Sequence, residues 1–178
     1  MSVRYVTIER RRRPTPRKQG ILITYAVGDL LQADTQAVVN TVNCVGVMGK
    51  GIALQFKCSY PDTFAAYEKA CRRGEVVIGE MFVTRTGQLV GPEYIINFPT
   101  KKHWRSPSKL SYIDAGLVDL IRLIRARNIV SIAVPPLGAG NGGLDWRDVA
   151  PRIIKAFKEV PDVRVVLYPP HRPDGPCL

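Results

Sequence analysis

Two glycine-rich stretches carry the residues best suited to hold a phosphate: Asn43-Cys44-Val45-Gly46-Val47-Met48-Gly49-Lys50-Gly51 and Gly138-Ala139-Gly140-Asn141-Gly142-Gly143. Each follows an apolar run that reads as a buried strand, 37–42 and 129–136, and each opens into a helical pattern. Glycine lets the backbone approach a ligand and turn its N–H groups toward it, and a helix N-terminus behind favours negative charge. Two such loops in one domain point to a ligand with a phosphate group and two ends. A nucleotide-sugar diphosphate is the natural candidate.

Two familiar phosphate motifs come close and fail. A P-loop needs Gly, four residues, then Gly-Lys-Ser/Thr. Here Cys44 stands where the first glycine belongs, and Gly51 replaces the magnesium-holding hydroxyl. The second loop does match G-x-G-x-x-G through Gly138, Gly140 and Gly143. A dinucleotide fold also needs an acid at the end of the next strand, yet Asp162 precedes that strand and the chain is nearly over. A dehydrogenase is therefore not expected.

With 178 residues, 46% of them hydrophobic, the chain can bury one substantial core. No apolar run is long enough to span a membrane, and the basic N-terminus lacks the apolar core of a secretory signal. The four cysteines (Cys44, Cys58, Cys71, Cys177) show no C-x-x-C spacing, and only His103 and His171 add imidazoles. Free thiols in a reducing cytoplasm are expected, with no metal site and no cofactor. The formal charge of +11 is uneven. Residues 1–20 hold seven cations (Arg4, Arg10, Arg11, Arg12, Arg13, Arg17, Lys18) against Glu9, a net of +6 that leaves +5 for the rest. This arm reads either as a solvated tail or as a phosphate-backbone contact, and 171–178 read as a short tail after a 21–170 domain.

The elements that must position the loops emerge from periodicity. Strands are expected at 22–27, 37–42, 81–86, 94–98, 129–136 and 163–168. Helices are expected at 51–58, 61–73, 109–127, and 146–160 with Asp145 as its cap. In the third helix Leu110, Ile113, Leu117, Leu120, Ile121 and Ile124 fall on one face. Alternating strands and helices imply a three-layer α/β fold with a mixed central sheet, and the glycine loops at the strand C-terminal ends.

The series Gly28-Asp29-Leu30, Val39-Asn40-Thr41-Val42-Asn43, Gly49-Lys50-Gly51-Ile52-Ala53 and Pro136-Leu137-Gly138-Ala139-Gly140 resembles the macro domain family, whose members bind ADP-ribose. The resemblance runs in order from about residue 23 to 168. More narrowly, 43–53, Asn97-Phe98-Pro99-Thr100-Lys101-Lys102-His103-Trp104 and Gly142-Gly143-Leu144-Asp145-Trp146 resemble the macro domains of DarG antitoxins, the DNA ADP-ribosyl glycohydrolases. That branch includes the human terminal ADP-ribose protein glycohydrolase. DarG proteins typically carry a further C-terminal domain, which these residues do not include.

The resemblance implies a role for each matching residue. Asp29, beside Leu30, would accept from the adenine amino group, with a turn or cap as its alternative role. Asn43 would contact the distal ribose as part of the catalytic site, or else form an Asx-turn. Met48, Gly49, Gly51 and Ile52, with Leu137, Gly138, Ala139, Gly140, Asn141 and Gly142, would wrap the distal ribose and diphosphate. Met48 could equally be core. Lys101 of the Thr100-Lys101 pair would be the nucleophile on the anomeric carbon of the distal ribose, which requires a deprotonated amine. The human enzyme places a catalytic aspartate where this chain has Asn141, and an amide is no base at neutral pH. Either Lys101 works without that carboxylate, or another acid substitutes (Asp145 is nearest, though its capping position competes), or the chain binds without turnover. The resemblance to DarG around Asn141 favours the first.

The leading expectation is an enzyme that removes ADP-ribose from DNA, from thymine in single strands. Lys101, Lys102, Arg105 and Lys109 supply positive charge, and Trp104 would stack on a base unless it is buried. Its alternatives are a hydrolase acting on ADP-ribose linked to protein carboxylates and a non-catalytic reader of ADP-ribose. Partners implied are ADP-ribose, ADP-ribosylated single-stranded DNA, ADP-ribosylated protein in the alternative, and a cognate DNA ADP-ribosyltransferase toxin. No membrane partner is expected, and the chain is expected to be a monomer.

Overall fold

Alternation along one strand sets the layers. In β2 (Ala37–Asn43), Ala37 and Val39 face one apolar cluster while Val38 faces another, and Val42 joins a third. A strand with apolar residues on both faces must lie inside a sheet covered on both sides. The computed structural model describes residues 22–170. The expected basic arm at 1–20, Cys177, His171 and the tail lie outside them.

The remaining strands are β1 (Ile23–Tyr25), β3 (Phe82–Arg85), β4 (Tyr94–Lys101), β5 (Ser131–Val134) and β6 (Arg164–Leu167). They form one sheet in the order β1-β6-β5-β2-β4-β3, parallel throughout except for antiparallel β3. The helices are α1 (Gly51–Ser59), α2 (Pro61–Arg72), α3 (Leu110–Ala126) and α4 (Trp146–Phe157). α3 and α4 bury Ile113, Leu117, Leu120, Val149, Ile153 and Phe157 against one face of the sheet, and α1 brings Phe56 to the other. The mixed three-layer architecture is thus the expected one. The close fit of α3 depends on Gly116, where a Cβ would collide with the Phe98 ring. Among the described residues no helix is long and apolar enough to cross a membrane.

One boundary differs from the expected one in a way that matters. β4 does not stop at Phe98 but continues through Pro99 and Thr100 to Lys101. Its pairing with β3 ends at Asn97, so Pro99 breaks no ladder position on that side. On the other side β2 stays paired, with a bulge between Val42 and Asn43. Lys101 is therefore the last residue of a central strand rather than part of the loop beyond it.

Candidate active site

Five parallel strands point the same way, so the segments leaving β1, β6, β5, β2 and β4 line one edge of the sheet. The first glycine loop, after β2, is shaped by Asn43. Its Oδ1 accepts from the Val45 and Val47 N–H groups at 3.0 and 3.3 Å, and its Nδ2 donates to the Val47 carbonyl at 2.6 Å. The Tyr67 hydroxyl, from α2, donates to the Asn43 carbonyl at 2.7 Å. Asn43 is 6% exposed, and its side chain fastens its own loop, the Asx-type role. Beneath it Met48 is 3% exposed and packs with Val42, Tyr67, Ala70 and Val76. Its side chain thus takes part in the core, the alternative role the sequence offered, while its backbone lies in the loop. Gly49, Lys50 and Gly51 are exposed, and no side chain caps the first turn of α1. Its free N–H groups are an anion-binding feature.

The second loop, after β5, is a closed ring. Leu144 N–H donates to the Gly138 carbonyl at 3.0 Å, and Gly143 N–H to that of Gly140 at 3.1 Å. Ser108 fills its underside: it is 5% exposed, its N–H donates to the Gly142 carbonyl at 2.9 Å, and its hydroxyl has no partner. A Cβ on Gly142 would run into that hydroxyl and the Gly138 carbonyl, so only glycine fits there. Asp145 caps α4, accepting from Arg147 N–H at 2.8 Å and pairing with the Arg147 guanidinium at 2.6 Å. It performs the expected capping role.

The two loops and β4 meet at Lys101. Its amine donates to the main-chain carbonyl of Asn141, and burial holds the ammonium below its ordinary value. The Asn141 side chain points to the first loop: its Nδ2 lies 2.9 Å from where a Cβ on Gly51 would stand, with Gly51 at φ +57°. Thr100 is buried, and its hydroxyl donates to the Val42 carbonyl at 3.5 Å.

At the other end of the edge, Asp29 comes after β1 and caps the short 3-10 turn Leu30–Gln32, its Oδ1 accepting from Leu31 N–H at 2.9 Å. It is exposed and stands near Tyr60 and Tyr168, whose hydroxyls are pushed up first by burial and then by the Asp29 charge. The Leu30 and Leu137 side chains are buried, which leaves only their backbone to face a ligand. Gly138 and Gly142 are buried too, while Gly140 and Asn141 are exposed and Ile52 and Ala139 half-buried.

Sequence reasoning did not find Ser108, Tyr67, Tyr60 or Tyr168, since none lies in a glycine loop. The first two act through contacts distant in sequence. Among the described residues, no group of three or more His, Cys, Asp or Glu gathers where a metal would be held. A concavity of about 350 Å³ between the end of α3 and residues 159–163 lies at the opposite ends of the strands. Its Arg125 and Glu159 are bound to each other, and none of its residues belongs to the loops.

The Macro domain family model matches residues 39–153. The DNA ADP-ribosyl glycohydrolase of Mycobacterium tuberculosis is 73% identical over 149 residues, which cover 84% of this chain and 42% of the relative. The chain thus spans about two fifths of the length of that curated relative. The solved macrodomain of Mycobacterium tuberculosis DarG superposes with a TM-score of 0.84 at 72% identity, covering 85% of this chain and 100% of the other. Thermosipho africanus DarTG in complex with ADP-ribose superposes with a TM-score of 0.76 at 30% identity, covering 85% of this chain and 43% of that one.

Proposed function

This chain belongs to the macro domain family, and on that premise we propose that it is an ADP-ribosyl glycohydrolase that frees DNA bases, thymine in single strands, from ADP-ribose. ADP-ribose would lie along the sheet edge, adenine near Asp29, diphosphate over the two glycine loops, and distal ribose at Lys101. From β1 to β4 is four strand spacings, about 19 Å at roughly 4.8 Å each, room for an extended ligand with two ends. The similarity to a structure in complex with ADP-ribose supports the ligand. The similarity to DNA ADP-ribosyl glycohydrolases supports the reaction.

The observation that carries the reading is the position of the Lys101 amine. It is held on the Asn141 carbonyl at the end of a central strand, with burial favouring its neutral form. The neutral Nζ attacks the anomeric carbon of the distal ribose. The bond from that carbon to the base nitrogen breaks, its electron pair goes to the base, and the proton shed by the amine balances the one the base takes up. Water then adds at the same carbon, the bond to Nζ breaks, and ADP-ribose leaves with the amine restored. Asn141 supplies its main-chain carbonyl, which no substitution of the side chain removes. The enzyme acts as a monomer in the cytoplasm, and a DNA ADP-ribosyltransferase is the activity that must supply its substrate.

The test is to incubate the protein with ADP-ribosylated single-stranded DNA and, separately, with ADP-ribosylated protein, and to assay free ADP-ribose. Release from DNA is expected. Release only from protein assigns the carboxylate-linked substrate instead, and binding with no release from either makes the chain a reader.

A further inference from the structure

The order of the site along the sheet edge says where the modified base must go. Asp29 comes after β1, the second loop after β5, the first after β2, and Lys101 ends β4, in the spatial order of the strands. A base joined to the distal ribose therefore leaves the cleft on the far side of Lys101, over residues 102–108. Those residues form a fixed ridge. Cys44 N–H donates to the Lys102 carbonyl at 3.2 Å, and Ser108 N–H to the Gly142 carbonyl at 2.9 Å, so one glycine loop holds each end. Between them Ser106 N–H closes a turn on the His103 carbonyl at 3.0 Å.

On this ridge stands a stack. The His103 and Trp104 rings lie 5.4 Å apart at 29°, and the Arg105 guanidinium sits 4.4 Å from the centre of the Trp104 ring. Arg105 N–H donates to His103 Nδ1 at 3.2 Å, which sets the imidazole's orientation. Trp104 remains 45% exposed. Lys102, Arg105 and Lys109 form no ion pair with a described residue. An exposed, pre-stacked aromatic flanked by unpaired cations is the composition that single-stranded nucleic acid selects: bases stack on the rings and phosphates meet the cations. Three residues of chain reach about 10 Å at most, so Trp104 stands near Lys101.

Resting on the DNA glycohydrolase reading, the geometry points to a second subsite. The His103–Trp104–Arg105 stack receives the nucleobase next to the ADP-ribosylated one, and Lys102 and Lys109 meet the intervening phosphates. The subsite discriminates a nucleic acid strand from a lone modified nucleotide, through stacking that every base can supply.

The experiment compares kcat/KM for an ADP-ribosylated thymidine nucleotide, for an ADP-ribosylated oligonucleotide, and for the same oligonucleotide with abasic sites flanking the modified base. The readout is the oligonucleotide-to-mononucleotide ratio within each protein, so a general loss of activity cancels. In the wild type this ratio should exceed one. Trp104→Ala should lower it at least about fivefold, the loss expected when one stacked base is removed. Trp104→Phe should restore much of it, and abasic flanks should reduce the wild-type ratio to that of Trp104→Ala. An unchanged ratio in Trp104→Ala, or indifference of the wild type to abasic flanks, overturns the stacking subsite alone. Loss of release from ADP-ribosylated protein, with the DNA ratio intact, gives the ridge to a peptide and also overturns it. A wild type that releases nothing from any DNA substrate instead overturns the parent reading.

Discussion

The Lys101 amine and the Asn141 carbonyl, forty positions apart in sequence, join the end of the central strand β4 to the second glycine loop. Because the acceptor is main chain, the amide side chain of Asn141 is free to rest over Gly51 in the first loop. One residue thus touches both the Lys101 amine and the first glycine loop.

Lys101→Ala is expected to abolish ADP-ribose release from DNA while changing the Kd for ADP-ribose little, since a nucleophile acts mainly in the transition state. Lys101→Arg should not rescue, because a guanidinium keeps the charge but offers no free amine near neutral pH. Single-turnover assays with calorimetry on free ADP-ribose separate the two effects. Wild-type turnover in Lys101→Arg would mean the residue acts only through its charge. Asn141→Ala should cost less than Lys101→Ala, because the carbonyl survives.

The rate should rise with pH. The protonated ammonium is no nucleophile, so kcat/KM should climb about tenfold per pH unit below the lysine's pKa and level off above it. Burial holds that pKa below the ordinary 10.5, which moves the plateau toward neutral pH. A rate that instead falls as pH rises across this range would require the ammonium form and exclude covalent attack.

Gly51→Ala should weaken ADP-ribose binding for two separable reasons. At φ +57° an alanine is strained by roughly 1–2 kcal/mol, and its methyl would meet Asn141 Nδ2 at 2.9 Å. Adding Asn141→Ala removes only the second. The double-mutant cycle on ADP-ribose affinity should therefore show coupling of at least about 0.5 kcal/mol, with the double variant still weaker than wild type. Strict additivity would separate the two loops.

Tyr67→Phe should lower folding stability by about 1–3 kcal/mol, because the buried Asn43 carbonyl loses its 2.7 Å donor. The same change should raise the Kd for ADP-ribose, since the first loop is fastened at that point. Chemical denaturation and calorimetry read the two effects, and a stable variant with unaltered affinity would show that the hydroxyl does not hold the loop.

Much of the fold was legible because its signals are local. The face of α3, the cap at Asp145 and the strand preceding each glycine loop arise from periods of 3.6 and 2 and from residue type, and all three stand in the structure. Asp29 takes the capping role that its residue type offered as the alternative to adenine contact, and its one bonded oxygen leaves the rest of the carboxylate at the exposed edge. The end of β4 was not legible. Proline at 99 reads as a terminator, and only the short reach of β3 makes it harmless inside the strand.

The sequence by itself determined the architecture, the two loops and the order in which the candidate residues occur, because periodicity and glycine placement are written in neighbouring positions. Which of these residues meet across the chain was decided by tertiary structure. The carbonyl of Asn43 is fixed from α2 by Tyr67, twenty-four positions away. Met48 packs in the core with Tyr67 and Val76, and β4 brings Lys101 to the Asn141 carbonyl. The ridge that carries the exposed Trp104 is anchored at both ends by the glycine loops. Each of these is settled by a long-range contact, and such contacts leave no local pattern in the chain.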